Sequence, residues 1–147
     1  MSTLAAIRTY KWGEDEQRFF ETLSPVFGDD LVAVYQNLGD AELPCRAVNL
    51  DKAWLSANGL SPIKNWGWQC GDYAFYRQRD AYPLYDFYWL IEHDVYFSSD
   101  PSDFFERFES QKQDVFGQRP TRLSMRLAKS RKALKEQRHK LFEGNTS

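Results

Sequence analysis

Apolar residues in this chain gather in short runs separated by polar stretches that carry glycine or proline, and the runs differ in period. Leu4-Ala5-Ala6-Ile7 and Leu31-Val32-Ala33-Val34-Tyr35 are short and unbroken, the pattern of strands buried on both faces of a parallel sheet. The first continues into Arg8-Thr9-Tyr10, residues able to hydrogen-bond, and Gly13 breaks it. Between the two, Phe19, Phe20, Leu23 and Phe27 recur at helical spacing. Glu14-Asp15-Glu16 suit the positive end of that helix, and Pro25 and Gly28 close it or distort its last turn. Strand, helix and strand at this spacing predict a βαβ unit, with parallel strands and a right-handed crossover. Arg8-Thr9-Tyr10 and Gln36-Asn37 then share one edge of the sheet, the carboxyl edge where open parallel sheets bind ligands.

The same alternation continues. Leu38 to Pro44 has loop composition, and Arg46-Ala47-Val48-Asn49-Leu50 reads as a brief third strand. Asp51 caps a short helix with Ala53, Trp54 and Ala57 on its apolar side, ended by Asn58-Gly59. Ser61 to Gly67 reads as a loop, and Gly71-Asp72 opens a helix to about Arg79 that Tyr82-Pro83 ends. Phe87 to Ile91 is another unbroken apolar run, read as a strand buried on both faces. Asp100-Pro101-Ser102-Asp103 starts a helix whose buried face is Phe104, Phe105 and Phe108, and Gln113 to Phe116 reads as a fifth strand. The sum is an α/β fold: a Rossmann-like, mostly parallel sheet with flanking helices.

From Pro120 the pattern changes. Leu123, Leu127, Leu134 and Leu141 keep helical spacing while lysine and arginine cover most of the remaining surface. Residues 1–118 carry 10 basic and 19 acidic side chains, and residues 119–147 carry 9 basic and 2 acidic. An α/β domain over 1–118 and a basic helical tail over 119–147 are therefore expected. The acidic body argues against a broad nucleic-acid surface, and the tail reads first as a solvated helix, second as an element binding a partner chain, nucleic acid or acidic lipid. Cys45 and Cys70 are too few and too far apart for a disulfide framework or a paired zinc site. The first thirty residues lack a signal-peptide pattern and no run reaches membrane-span length, so a cytoplasmic protein is expected.

Chemistry concentrates where the aromatic strand ends. Aromatic residues make up 16% of the chain, and half of them fall between Trp66 and Phe97. Phe87-Tyr88-Trp89-Leu90-Ile91 runs straight into Glu92-His93-Asp94. Alternation along a strand puts Glu92 and Asp94 on one side and His93 on the other, with Ile91 and Val95, as a packing histidine. Two carboxylates in one small volume repel unless they share a cation or a proton, and their oxygens suit Mg2+ or Mn2+. The plain alternative is that the strand simply ends in solvated acids.

Apolar residues followed by acid-x-acid resemble the DXD motif of the GT-A glycosyltransferases, here as Glu92-His93-Asp94. With Trp68-Gln69-Cys70-Gly71-Asp72-Tyr73 upstream, the segment is also similar to a bacterial group of nucleotide-diphospho-sugar transferase-like proteins. The resemblance implies a Mn2+ or Mg2+ ion held by Glu92 and Asp94 against the diphosphate of a nucleotide-sugar donor. It further implies that Arg8, Thr9 and Tyr10 border the nucleoside, and that Asp72 lies near it unless it merely opens its helix. Trp66 or Trp68 would stack on base or sugar unless it packs in the core. The resemblance spans residues 4 to 118, the donor-binding half of such a domain, and the acceptor-binding half has no counterpart in this sequence. The resemblance then implies a fragment or a shortened relative of such an enzyme, or a missing half that comes from another chain. Two further readings are a non-catalytic nucleotide-binding or assembly module and a metal-dependent hydrolase of phosphate esters. No nucleophile elbow, phosphate-cradling glycine loop or paired-histidine motif points to other enzyme classes.

Overall fold

The computed structural model of the protein describes residues 2–109, with only the backbone described at Trp68 and Gln69. Ten elements follow one another: strand β1 (Thr3–Thr9), helix α1 (Glu14–Phe27), a 3-10 turn (Gly28–Asp30), β2 (Leu31–Tyr35), β3 (Ala47–Asn49), α2 (Lys52–Ala57), α3 (Trp66–Gln69), α4 (Asp72–Ala81), β4 (Phe87–Glu92) and α5 (Pro101–Glu109). The strands form one sheet in the order β3-β2-β1-β4, and every pairing is parallel. The fold is α/β, a parallel sheet between two layers of helices, as in Rossmann-like domains. Gln113 to Phe116, the basic tail and the boundary at 118/119 lie outside the described residues. No helix among the described residues is long and apolar enough to cross a membrane.

Residue parity divides the core. Leu4 and Ala6 of β1 join Val32, Val34, Val48, Leu55 and Ala74 on one face, under α2 and α4. Ala5 and Ile7 join Leu31, Ile91, Phe19, Leu23 and Phe105 on the other, under α1 and α5. Leu4 through Ile7 have no exposed surface at all, because β1 has a strand on each side and helices on both faces. This is why the run is unbroken rather than alternating.

The local signals act as their chemistry requires. Glu16 is buried and reaches back to the Gly13 amide at 2.8 Å, so it accepts a donor that the first turn of α1 leaves unpaired. The helix continues through Pro25 to Phe27 and ends at Gly28, whose φ of 54° is left-handed. Asp51 caps α2 by accepting from the Trp54 amide at 2.8 Å. Asp100 accepts from the Ser102 amide at 2.9 Å at the start of α5.

Two expectations are corrected. The stretch read as a loop over 61–67 ends in the short helix α3, entered through Asn65 in the left-handed conformation, φ 59°. Phe87 to Ile91 is not buried on both faces: only Ile91 is buried, and Phe87 is 37% exposed. Among the described residues β4 is an outer strand of the sheet, with one paired edge. Its aromatics cover flanking helices: Trp89 packs edge-on against Phe105 of α5 with ring centroids 5.1 Å apart. Tyr88 donates to the Tyr82 carbonyl at 2.7 Å, and Gln78 of α4 donates to the Trp89 carbonyl at 3.1 Å.

Candidate functional site

The strand order reverses at β1, with β2 and β3 on one side and β4 on the other. Such a switch point opens a crevice beyond the carboxyl ends of the strands, since the connections on either side of it lead away to opposite faces. Here that crevice has a volume of about 330 Å3 and is lined by Arg8, Thr9, Tyr10, Gln36, Gly67, Glu92, His93 and Asp94.

Register places the first pair. Arg8 stands opposite Glu92 in the β1–β4 ladder, so both side chains leave the sheet on the same face, the one bearing α3. The Arg8 guanidinium meets Glu92 Oε1 at 2.7 Å through Nη1 and donates to the Gly67 carbonyl through Nη2. Its side chain is 16% exposed and that of Glu92 is 47% exposed. The pair bridges solvent and interior, and Glu92 keeps its second oxygen for another partner.

The strand stops at Glu92, and this corrects the alternation argument for the next two residues. A turn follows, closed by the Val95 amide donating to the Glu92 carbonyl at 3.2 Å, so Asp94 is carried by turn geometry and not by the pleat. Both acids still line the crevice. His93 lines the crevice as well, and sits edge-on to Tyr10 with ring centroids 5.1 Å apart. Its amide and its Nδ1 both reach the Arg8 carbonyl, at 3.2 and 3.3 Å. A carbonyl only accepts, so in this contact Nδ1 is the donor. His93 also borders, together with Val95 as the sequence suggested, a smaller pocket of about 230 Å3 formed with Asp15, Arg18 and Thr22 of α1 and with Tyr96 and Ser99.

The remaining residues singled out in the sequence divide. Thr9 is buried, and its hydroxyl receives the Lys11 amide at 3.2 Å, so it shapes the strand end. Tyr10 is 61% exposed and forms a wall of the crevice. Asp72 does not line the crevice. It is the exposed first residue of α4, where a carboxylate suits the helix dipole. Trp68 belongs to α3, beside Gly67. Trp66 is partly buried and packs towards Tyr73, with ring centroids 6.3 Å apart.

Gly67 was not singled out by sequence and has two functions here. Its carbonyl holds Arg8, and a Cβ at this position would come within 2.6 Å of the Gln36 carboxamide, so glycine permits the close approach of α3 to the end of β2. A glycine between two tryptophans was the available signal.

Among the described residues no group of three or more His, Cys, Asp or Glu side chains is placed to hold a metal ion. The donor set of the crevice is two carboxylates, which fits an ion that takes one or two protein oxygens and completes its shell with phosphate and water, as Mg2+ does at nucleotides. It does not fit a closed structural metal site. Neither cysteine pairs in a disulfide, and burial pushes the Cys45 thiol up to about 11 despite the neighbouring Arg46, which leaves it protonated and a poor nucleophile at neutral pH. No family model, curated protein or solved structure matches the chain.

Proposed function

We propose that the switch-point crevice binds a nucleotide-sugar donor with a divalent cation at Glu92 and Asp94, as in the donor-binding half of a GT-A glycosyltransferase, and that the sugar passes to an acceptor hydroxyl. The observation that carries this reading is the position of Arg8, Glu92 and Asp94 together in one crevice at the carboxyl edge of a parallel sheet. Phosphate-bearing ligands bind at that place in open α/β sheets. A cytoplasmic setting belongs to the same reading, in keeping with the two free thiols.

In this proposal Glu92 and Asp94 supply the protein's oxygens to Mg2+ or Mn2+, which would neutralise the charge that builds on the departing nucleoside diphosphate. Arg8 is held by Gly67 and Glu92 with its guanidinium at the crevice, and donates to phosphate oxygens that arrive there. Tyr10 supplies an exposed ring beside the nucleoside.

The Arg8–Glu92 ion pair favours a second reading. Glu92 already has a cationic partner, so the crevice can bind a nucleotide through Arg8 alone and transfer nothing. Thermal-shift titration with nucleoside diphosphates, with and without Mn2+, tests the first reading. A rise in Tm that needs both Mn2+ and nucleotide, and that disappears in Glu92→Gln/Asp94→Asn, is expected. A rise that ignores Mn2+ and survives the double substitution supports the second reading. Turnover of a labelled nucleotide-sugar then separates transferase from binder.

A further inference from the structure

We infer that a second, cationic basin beside the crevice is a binding site for a phosphomonoester group, working without a metal ion. The basin has a volume of about 540 Å3 and joins the crevice through three shared residues, Tyr10, Gln36 and Gly67. The two compartments differ in charge. The crevice has two carboxylates and one guanidinium, whereas the basin has Lys52 and Lys64 and no acidic side chain in its lining. A cleft lined by one sign of charge concentrates ions of the other sign, and a lysine ammonium is a mobile point charge suited to phosphate.

Two independent features mark the basin as built for a ligand. Among the described residues, the side chains of Lys52, Lys64, Asn37, Asn65 and Gln36 make no hydrogen bond or ion pair with the protein, so five polar groups around one cavity are uncommitted. The nearest acid in sequence, Asp51, is engaged elsewhere, accepting from the Trp54 amide at 2.8 Å and from Asn49 Nδ2 at 3.3 Å. The second feature is in the backbone. Only two non-glycine residues among those described have positive φ, Asn37 at 54° and Asn65 at 59°, and both line this basin. Asparagine is one of the few residues other than glycine that takes this conformation readily, and here two of them, from separate loops, border one cavity.

The basin lies outside the Glu92–Asp94 pair and does not depend on the metal reading. In the nucleotide-sugar proposal it gives a phosphate-bearing ligand a second point of attachment. The phosphate can belong to a sugar co-substrate or to a nucleoside, and the experiment separates these sources.

Calorimetric titration in chelator-treated buffer is the test, with glucose phosphate and uridine monophosphate as probes and glucose and uridine as their uncharged counterparts. Both or either of the phosphorylated probes should bind, with the uncharged forms at least about tenfold weaker. Lys52→Gln/Lys64→Gln should weaken that binding about tenfold or more, while Glu92→Gln/Asp94→Asn leaves it unchanged. Lys64→Gln alone, an exposed loop substitution, should give part of the loss if the double variant is unstable. Preference for glucose phosphate assigns the group to a sugar co-substrate and preference for uridine monophosphate to a nucleoside; each supports the site. Equal binding of charged and uncharged probes, no binding of either phosphorylated probe, or unchanged binding in the lysine variants overturns it. None of these outcomes depends on Mn2+, so failure here is separable from failure of the metal-dependent reading.

Discussion

The middle of β1 and its carboxyl end are built from the same strand, yet they are held by opposite means. Leu4 to Ile7 are wholly enclosed, each touching a core cluster on the face its parity selects. Within the next three residues, Arg8 meets Glu92 in an ion pair that reaches solvent and Tyr10 is 61% exposed, and neighbouring Gln36 and Asn37 have uncommitted side chains. Packing fixes the first region, so that its residues have little room to do anything else. The second is held by backbone ladders and a few polar contacts, so its side chains stay available to a ligand. Separating the two jobs along one strand lets the edge change chemistry without endangering the core.

The largest test of that separation is in the core. Ile7→Ala deletes buried methyl and methylene groups between α1 and α5, and a core truncation of this kind costs about 2–5 kcal/mol. The Arg8–Glu92 pair, with Glu92 half exposed, is worth at most about 1 kcal/mol. Urea denaturation should therefore show Ile7→Ala losing most of the stability of so small a domain while Glu92→Gln stays close to the parent. Equal losses would mean that the edge carries the fold too, and the division would fail.

The sequence made the first region legible and left much of the second unreadable, for physical reasons. Runs such as Leu4-Ala5-Ala6-Ile7 and Leu31-Val32-Ala33-Val34 report burial directly, and the phenylalanine spacing of α1 reports its inner face, so sheet and helices follow from period alone. The contact of Arg8 with Glu92 spans 84 positions and depends on register, which tertiary packing sets. The pleat argument put Asp94 with Glu92 and turned His93 away. A turn begins at residue 93, so the strand stops two residues short of Asp94, and no composition signal marks where β4 ends. The aromatic run suggested a two-sided core strand because aromatics on a sheet's outer strand, packed on helices, have the same composition. The basin was least accessible, since Asn37, Lys52 and Lys64 come from three separate segments that only the folded chain gathers.

Gly67 lies on the border between the two regions and sharpens the comparison at intermediate size. Gly67→Ala places a methyl 2.6 Å from the Gln36 carboxamide, which is the end of a flexible side chain and gives way by rotation. Alanine also suits α3 better than glycine does, by up to about 1 kcal/mol. Stability should thus change by no more than about 1 kcal/mol, in either direction. The displaced Gln36 borders both the crevice and the basin, so under the proposed nucleotide-sugar reading affinity for a nucleoside diphosphate probe such as uridine diphosphate should fall about tenfold by calorimetry. A variant that keeps full affinity would show that Gln36 and α3 do not limit the opening between the two compartments.

The smallest expected effect is at the opposite, amino end of the sheet. Asp86 precedes β4 and accepts from the Ser2 amide at 2.8 Å and the Ser2 hydroxyl at 3.1 Å, and these bonds hold its carboxyl below the ordinary carboxylate value. A carboxyl whose pKa is depressed on folding stabilises the native state above its unfolded pKa, about 3.9, and loses that contribution as pH falls through the lower native value. Asp86→Asn should be slightly less stable than the parent at pH 7, and the gap between their urea midpoints should close as the pH is taken down below about 4. The group is exposed, so solvent screening keeps the effect small. A gap that persists undiminished in acid would mean that Asp86 acts through shape and hydrogen bonding alone, with no contribution from its charge. The amino edge would then join the middle of β1 as a region held by contacts rather than by charge, leaving the carboxyl edge as the part of the described sheet where charge is kept free for a ligand.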